Sequence, residues 1–425
     1  MDPYRVLVVD DSAFMRKIIT DLIEKDQQFK VIGTAVNGIE AVASVESLKP
    51  DVITLDLEMP LMNGIDALQH ILKKHKLPII MLSGISEANT RDTIKALQFG
   101  AFDFIRKPTS VGAQSQDINS VGDMILEKLK IAVLTRRKSN VFKSVTEITT
   151  ESNKLLQNRT ETASNLLKND KIGNIQTSNS LATSKSNIIE NKLNSIVKKT
   201  IKEKPVKPLI TPNSNVSKLG VSEVVSQVRK KDQAITQIVA IGTSTGGPRA
   251  LHEVITALPG NLKAPVVIVQ HMPPRFTNSL AQRLDSFSEL TVMEASQGIK
   301  LENGKAYVAP GGYHMEIVMV NHHYEINLTS APARNGHRPS VDTLFDSLLP
   351  FNELERHIVI MTGMGSDGAQ GMKQLFNHGV TSTIAEAEES CVVYGMPRSA
   401  VELGVANKVL PLTQIAPEII NVVMR

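Results

Sequence analysis

Two stretches of this chain alternate short, continuous apolar runs with segments of helical periodicity, and few folds accept that pattern. In residues 1–135 the runs are Val6-Leu7-Val8-Val9, Val31-Ile32-Gly33-Thr34-Ala35, Val52-Ile53-Thr54-Leu55, Ile79-Ile80-Met81-Leu82 and Phe102-Asp103-Phe104-Ile105. From residue 236 to 425 the alternation resumes, starting with Gln237-Ile238-Val239-Ala240-Ile241 and Pro265-Val266-Val267-Ile268-Val269-Gln270. A continuous apolar strand suits a sheet covered on both faces, and the intervening helices supply the cover. The expected class is therefore α/β twice over: a five-stranded parallel sheet, then a second doubly wound sheet. Between Met315 and Thr329 the pattern instead alternates about Asn321-His322-His323, which predicts an antiparallel hairpin at one edge or rim of the second sheet.

The segment between these halves, residues 136–235, has a different character. It is rich in Ser, Asn, Thr and Lys, and reads as a flexible basic linker. Residues 136–233 carry 19 Lys and Arg against 8 Asp and Glu, leaving 28 basic and 35 acidic residues elsewhere, so the net charge of +4 belongs to the linker. Ile188 to Ile201 spaces Ile189, Leu193, Ile196 and Val197 as a transient amphipathic helix would, though a solvated tether is the plainer reading. With no Trp and 4% aromatic residues, base-stacking surfaces are scarce, and nucleic-acid binding is not expected. One cysteine, Cys391, excludes an internal disulfide. The amino terminus is neither signal peptide nor membrane span, so a cytoplasmic protein without membrane insertion is expected.

In doubly wound sheets function collects just beyond the carboxyl ends of the strands. In the first half those residues are Asp10-Asp11, Asp56, Ser83 and Lys107-Pro108. Three carboxylates brought together repel, and a hard cation such as Mg2+ relieves them. One carboxylate can then act as nucleophile toward a phosphoryl group, with Lys107 contacting the new phosphate. Taken singly, each Asp could merely cap the following helix. Together with Leu55-Asp56-Leu57-Glu58-Met59-Pro60, Met62-Asn63-Gly64 and Gly100-Ala101-Phe102-Asp103-Phe104-Ile105-Arg106-Lys107-Pro108, they closely resemble the flavodoxin-like receiver domain of two-component response regulators. The resemblance implies that Asp56 accepts phosphate from a histidine kinase. It also implies that Asp10, Asp11 and the backbone carbonyl of Glu58 hold Mg2+, that Lys107 senses the phosphate, and that Ser83 and Phe104 are the switch pair.

In the second half the first apolar run ends in Gly242-Thr243-Ser244-Thr245-Gly246-Gly247, followed by Pro248. Such a strand-to-helix turn presents a hydroxyl beside unpaired backbone N–H groups and a helix dipole, suited equally to a phosphate or to an oxyanion. Later turns carry Gln270-His271-Met272-Pro273 and Thr362-Gly363-Met364-Gly365-Ser366-Asp367-Gly368. Ser244, His271 and Asp367 supply the nucleophile, base and orienting acid of acyl transfer. Their order differs from the Ser, acid, His order of the α/β-hydrolases. Each has a plainer reading: Ser244 or Asp367 as a helix cap, His271 as a loop residue. A dinucleotide site is disfavoured by the G-x-x-x-G-G spacing and by Gln270-His271 where a ribose-binding acid would stand. Cys391, with no histidine near it in sequence, reads as a small buried side chain.

These motifs, with Ala309-Pro310-Gly311-Gly312-Tyr313-His314-Met315, Arg338-Pro339-Ser340-Val341-Asp342 and Gly395-Met396-Pro397, resemble the catalytic domain of the bacterial chemotaxis protein-glutamate methylesterases. The resemblance implies a phosphorylation-activated hydrolase that removes methyl esters from glutamyl residues of chemoreceptors and deamidates receptor glutamines. The esterase chemistry itself would need no cofactor. The triad falls on Ser244, His271 and Asp367, the oxyanion-stabilising N–H on Met364, and a helper on Thr245. Thr243 stands where alanine is usual and Ser366 where asparagine is usual, and the linker is longer than usual. In the family the receiver obstructs the active site until phosphorylated, and a longer tether lowers effective concentration, so weaker inhibition is expected here. The alternatives are a phospho-switched binding module with a vestigial hydrolase site, and a transcription regulator, for which no helix-turn-helix candidate exists.

Overall fold

A computed structural model of the chain describes residues 2–107, 121–136 and 234–425; Pro108 and the linker from 137 to 233, with the Ile188–Ile201 segment, lie outside the described residues. The first sheet comprises β1 (Tyr4–Val9), β2 (Phe29–Ala35), β3 (Val52–Asp56), β4 (Ile79–Ser83) and β5 (Asp103–Arg106), all parallel, in the order β2-β1-β3-β4-β5. Every residue of β3 and β4 is buried, as their unbroken apolar runs require. Helices α1 (Ala13–Ile23), α2 (Gly38–Leu48), α3 (Gly64–Lys74) and α4 (Glu87–Gln98) alternate with the strands, and residues 121–136 form a further helix, α5. Ser12, Asn37, Asn63 and Ser86 cap the first four through side-chain oxygens that accept backbone N–H groups. The strand-end acids are therefore not these helices' caps.

The second half contains β6 (Gln237–Thr243), α6 (Gly247–Thr256), β7 (Val266–Gln270), α7 (Phe276–Asp285), β8 (Thr291–Glu294) and β9 (Lys305–Val308). Strands β10 (His314–Val320) and β11 (His323–Thr329) follow, then α8 (Val341–Ser347), β12 (Glu355–Ile360) and α9 (Ala369–Asn377). The chain ends through β13 (Ser382–Glu386), α10 (Met396–Glu402), β14 (Lys408–Leu410) and α11 (Leu412–Val423). Seven strands form one sheet in the order β14-β13-β12-β6-β7-β9-β8. The strand order reverses beside β6, with β7 on one side and β12 on the other, which creates the crevice where such sheets bind ligands. The hairpin β10–β11 pairs along its full length as expected, but as its own two-stranded sheet and not as an edge of the larger one. Its inward residues Met315, Ile317, Tyr324 and Ile326 share a core with Leu344 and Phe345 of α8.

The two sheets meet through helices α4 and α7. Thr90 and Ser279 share a hydroxyl hydrogen bond at 2.7 Å, Arg283 Nε donates to Gln98 Oε1 at 2.9 Å, and Arg275 donates to the carbonyl of Ile85 at 3.3 Å. No helix among the described residues is long and apolar enough to cross a membrane.

Candidate functional site

The three predicted residues of the second half stand at the ends of adjacent strands. Ser244 follows β6, His271 follows β7, and Asp367 lies in the turn between β12 and α9. Backbone bonds lock these turns together: His271 N donates to Thr243 O at 3.1 Å and Ser244 N to Thr362 O at 3.0 Å. Gln270 Nε2 donates to the carbonyls of both Ser244 (2.9 Å) and His271 (3.2 Å), and the Thr243 hydroxyl donates to Gln270 Oε1 at 2.7 Å. The Thr243 hydroxyl therefore orients the amide that ties the turn of Ser244 to the turn of His271. Ser366 is exposed.

Neither capping reading survives. The cap of α6 is Gly246, at φ 81°, and that of α9 is Gly368, at φ 91°, neither with a side-chain capping bond. Ser244 is half-buried in a cavity of about 540 Å³ that it shares with Thr245, Gln270 and His271. Asp367 Oδ2 lies 2.8 Å from His271 Nε2 and accepts Val341 N at 2.7 Å. Its Oδ1 accepts the Ser340 hydroxyl (2.9 Å), Asp342 N (3.2 Å) and Asn335 Nδ2 (3.3 Å). Burial alone would raise the Asp367 pKa, but the hydrogen bond and charge of His271, with the N–H groups at the start of α8, pull it well below the usual carboxylate range. An ionised Asp367 takes the Nε2–H of His271. That tautomer leaves the lone pair on Nδ1, which is buried and has no partner among the described residues. Among those residues the backbone N–H groups of Thr245 and Met364 also donate to no backbone carbonyl.

In the first half, carboxylate oxygens of Asp10, Asp11 and Asp56 lie within 4.8 Å of one another. Lys107 Nζ bridges Asp10 and Asp56, at 2.7 Å from each. Burial, with the Asp10 charge, raises the Asp56 pKa to about 6 although Lys107 opposes it. Asp56 Oδ2 is buried without a hydrogen-bond partner, and Asp11 is exposed at the rim, so the set fits a hard divalent cation. The exposed side chain of Glu58 accepts a hydrogen bond from Asn89 at 3.3 Å. The Ser83 hydroxyl donates to Gly84 O at 3.0 Å and accepts from Thr93 at 2.6 Å.

Residues of the first half also line the Ser244 cavity, among them Asp103, Phe104, Arg106, Met124 and Lys128. Thr245 donates its hydroxyl to Asp103 Oδ2 at 2.8 Å, and the same carboxylate pairs with Lys128. The Phe104 ring stacks on Phe276, with centroids 4.5 Å apart. Sequence reasoning missed Asp103, Phe276, Asn335, His337 and Ser340; of these, Ser340 carried a local signal as a helix cap before Val341-Asp342, and Asn335 one as the first residue of an Asn-Gly turn. Cys391, expected to be buried, is half-exposed; its thiol pKa is pushed up by burial and by the nearby Glu386, which leaves it a poor nucleophile.

Residues 239–419 match the CheB methylesterase family, and residues 6–118 match the response regulator receiver domain. The protein-glutamate methylesterase/protein-glutamine glutaminase of Geobacillus kaustophilus is 40% identical over 423 residues, covering 100% of this chain and 99% of the relative. The Bacillus subtilis protein of the same name is 39% identical over 422 residues, covering 99% of each. The CheB methylesterase catalytic domain of Thermotoga maritima shares 46% identity across 44% of this chain and 98% of that one, with a TM-score of 0.43. With both domains present and identity sustained from end to end, the chain belongs to the protein-glutamate methylesterase/protein-glutamine glutaminase family of chemotaxis response regulators.

Proposed function

We propose that Ser244, His271 and Asp367 carry the acyl chemistry of this methylesterase and deamidase, and that Asp56 carries its phosphoryl switch. The observation that supports this most is the orientation of His271: Nε2 is held by Asp367 and Nδ1 is left with a buried, unpartnered lone pair. Ser244 Oγ attacks the γ-carbonyl carbon of a glutamyl methyl ester while Nδ1 takes the hydroxyl proton. The oxyanion is met by backbone N–H groups at Met364 and Thr245. The proton passes from Nδ1 to the leaving methoxide, and methanol departs. Water then attacks the acyl-enzyme and gives a proton to Nδ1, which passes it to Ser244 Oγ as the acyl–oxygen bond breaks, freeing Ser244 and releasing the glutamate side-chain acid, which ionises to the carboxylate. With a glutamine side chain the same steps release ammonia.

Asp10, Asp11 and Asp56, with the carbonyl of Glu58, are the residues to hold Mg2+, which when bound offsets the carboxylate charge around the incoming phosphoryl group. Lys107 then pairs with the phosphorylated Asp56, while Ser83 and Phe104 respond to it. The proposed division is a receiver over residues 1–135, a linker over 136–235 and a catalytic domain over 236–425. Its partners are methylated chemoreceptors as substrate and a chemotaxis histidine kinase as phosphodonor, all in the cytoplasm. The test is methanol release from methylated receptor membranes, with and without a small phosphodonor. Ser244→Ala should abolish release in both conditions and Asp56→Asn only its stimulation; release retained by Ser244→Ala overturns the assignment.

A further inference from the structure

The turn Arg334-Asn335-Gly336-His337 reaches both ends of the His271–Asp367 pair. Arg334 and His337 exchange backbone hydrogen bonds at 3.0 and 2.9 Å around Asn335 (φ 54°) and Gly336 (φ 80°), two consecutive left-handed residues of the kind that closes a tight two-residue hairpin. The turn is tied down on each side: Arg334 pairs with Asp346 at 2.6 Å, and Arg338 donates to the carbonyls of Ser330 and Ala331 at 2.9 Å each. From this platform Asn335 Nδ2 donates to Asp367 Oδ1 and to Asp342 Oδ2, at 3.3 and 3.0 Å. The ring of His337 lies flat on that of His271, with centroids 3.7 Å apart and an interplanar angle of 10°.

We propose that His337 is a positioning residue for the general base: its ring, presented by a rigid turn, clamps one face of His271 and stabilises the imidazolium that forms there. The proposal rests on the reading of His271 as base. The stack fixes the plane of the His271 ring, so that Nε2 stays on Asp367 and Nδ1 stays available to the Ser244 side. It also excludes water from one face, while the π-electrons of an uncharged imidazole attract the positive charge His271 acquires. That second effect requires His337 itself to be neutral, since two stacked imidazolium rings repel. The charged and titratable groups around it are His271, Asp367, Lys128 from α5 and Arg338 beside it in the turn. Burial, with His271 and Lys128, holds the His337 pKa down to about 4, against the opposing charge of Asp367. At neutral pH the ring is therefore an uncharged aromatic plate, and its flat face, not its nitrogens, does the positioning. Among the described residues that ring makes no hydrogen bond.

The test is made on the full chain, saturated with a small phosphodonor so that the receiver does not limit access. Methanol release is measured across pH for His337→Ala, His337→Phe and His271→Ala. His337→Ala should lower kcat about tenfold at little change in KM, as misplaced catalytic groups do. It should also move the acid limb of the profile to lower pH, because the imidazolium loses the stack that stabilised it. His337→Phe, which restores a flat aromatic face, should return both kcat and the limb to within about threefold of the parent. The proposal is overturned by a parent-like His337→Ala, by a fall in kcat without a moved limb, or by a His337→Phe as impaired as the alanine variant. Full activity in His271→Ala would instead remove the underlying assignment of the base, whereas an inactive His271→Ala beside a parent-like His337→Ala removes the stack alone.

Discussion

The hydroxyl of Thr245, the residue after Ser244, donates to the carboxylate of Asp103 at 2.8 Å, across 142 positions of sequence. Asp103 opens β5, and the next residue, Phe104, stacks on Phe276 at the start of α7. Two consecutive receiver residues thus grip both the turn that carries Ser244 and the helix beside it. The same strand leads within four residues to Lys107, which contacts Asp56. Under the proposed function, a phosphoryl group on Asp56 that recruits Lys107 would act on the end of the strand that carries both contacts.

Loss of the Asp103 carboxylate should therefore loosen the closed arrangement. A buried hydrogen bond of this kind is worth about 1 kcal/mol net, or roughly fivefold in an opening equilibrium. Asp103→Ala is expected to raise methanol release by the unphosphorylated protein several-fold and to leave the rate at saturating phosphodonor unchanged. Unaltered basal release from a variant with a normal thermal transition argues that the contact does not restrain opening.

Asp56 sets a pH dependence of stability. Its carboxyl loses its proton near pH 3.8 in the unfolded chain and near about 6 in the fold, where burial is the main cause. Between those values the folded state binds more protons, so its stability falls as pH rises from 4 to 6, and the cost is complete above 6. Asp56→Asn lacks that titration, and Lys107 keeps Asp10 as partner. In denaturant unfolding without divalent cations the variant should exceed the parent by roughly 2–3 kcal/mol at pH 7, from the 1.36 kcal/mol carried by each pKa unit. The advantage should shrink toward zero near pH 4 and narrow at pH 7 on adding Mg2+. A pH-independent difference contradicts the assignment of the cost to this carboxylate.

Much of this was legible in sequence because it is written locally. Continuous runs such as Val52–Leu55 and Ile79–Leu82 can be satisfied only inside a covered sheet, and Ser244, His271 and Asp367 all lie just past such runs, where an α/β sheet collects function. What could not be read is relational. Alternation marks β10–β11 as a hairpin but does not say whether its outer strands find another partner, and here they do not join the main sheet. No spacing rule links Asp103 to Thr245 or His337 to His271. The Asn335-Gly336 dipeptide signals a tight turn, yet only the fold shows that the turn faces His271 and Asp367. Which nitrogen of His271 meets Asp367 likewise follows from the direction in which the two turns approach, and not from residue types.

Gly363 is required by proximity. A Cβ at that position would stand 2.8 Å from Ser244 Cβ, 3.0 Å from Ser244 N and 2.3 Å from Met396 Sδ. Two of those atoms belong to the nucleophile turn, so they can give way only by displacing Ser244. Gly363→Ala should cost about 1–3 kcal/mol of stability through overpacking. Because small misplacements of reacting groups are expensive, kcat should also fall more than about tenfold. Labelling by a serine-directed fluorophosphonate should slow in parallel; a parent-like labelling rate means that the turn absorbs the methyl group without moving Ser244.

Asp367 separates the geometry of the acid from its charge. Its two oxygens receive donors from His271, Val341, Ser340, Asp342 and Asn335. An amide cannot meet that set. If its NH2 faces the Oδ2 side, it confronts Val341 N and turns His271 to the tautomer with the proton on Nδ1, the wrong nitrogen for the base. If the NH2 faces the Oδ1 side, it confronts Asp342 N and the Asn335 amide. Asp367→Asn should therefore lower kcat on the order of 10³–10⁴-fold, the scale set by the equivalent change in serine-protease triads. Ser340→Ala removes one donor of the five and leaves the charge, so its kcat should fall by no more than about tenfold. It also uncaps α8, whose Thr343 N is bonded by the Ser340 hydroxyl at 3.3 Å, and a loss of about 1 kcal/mol in unfolding stability should accompany it. Measured side by side, a large kinetic loss in the first variant and a mainly structural loss in the second assign Asp367 to His271. Equal kinetic losses would instead make Asp367 chiefly a clamp on the start of α8.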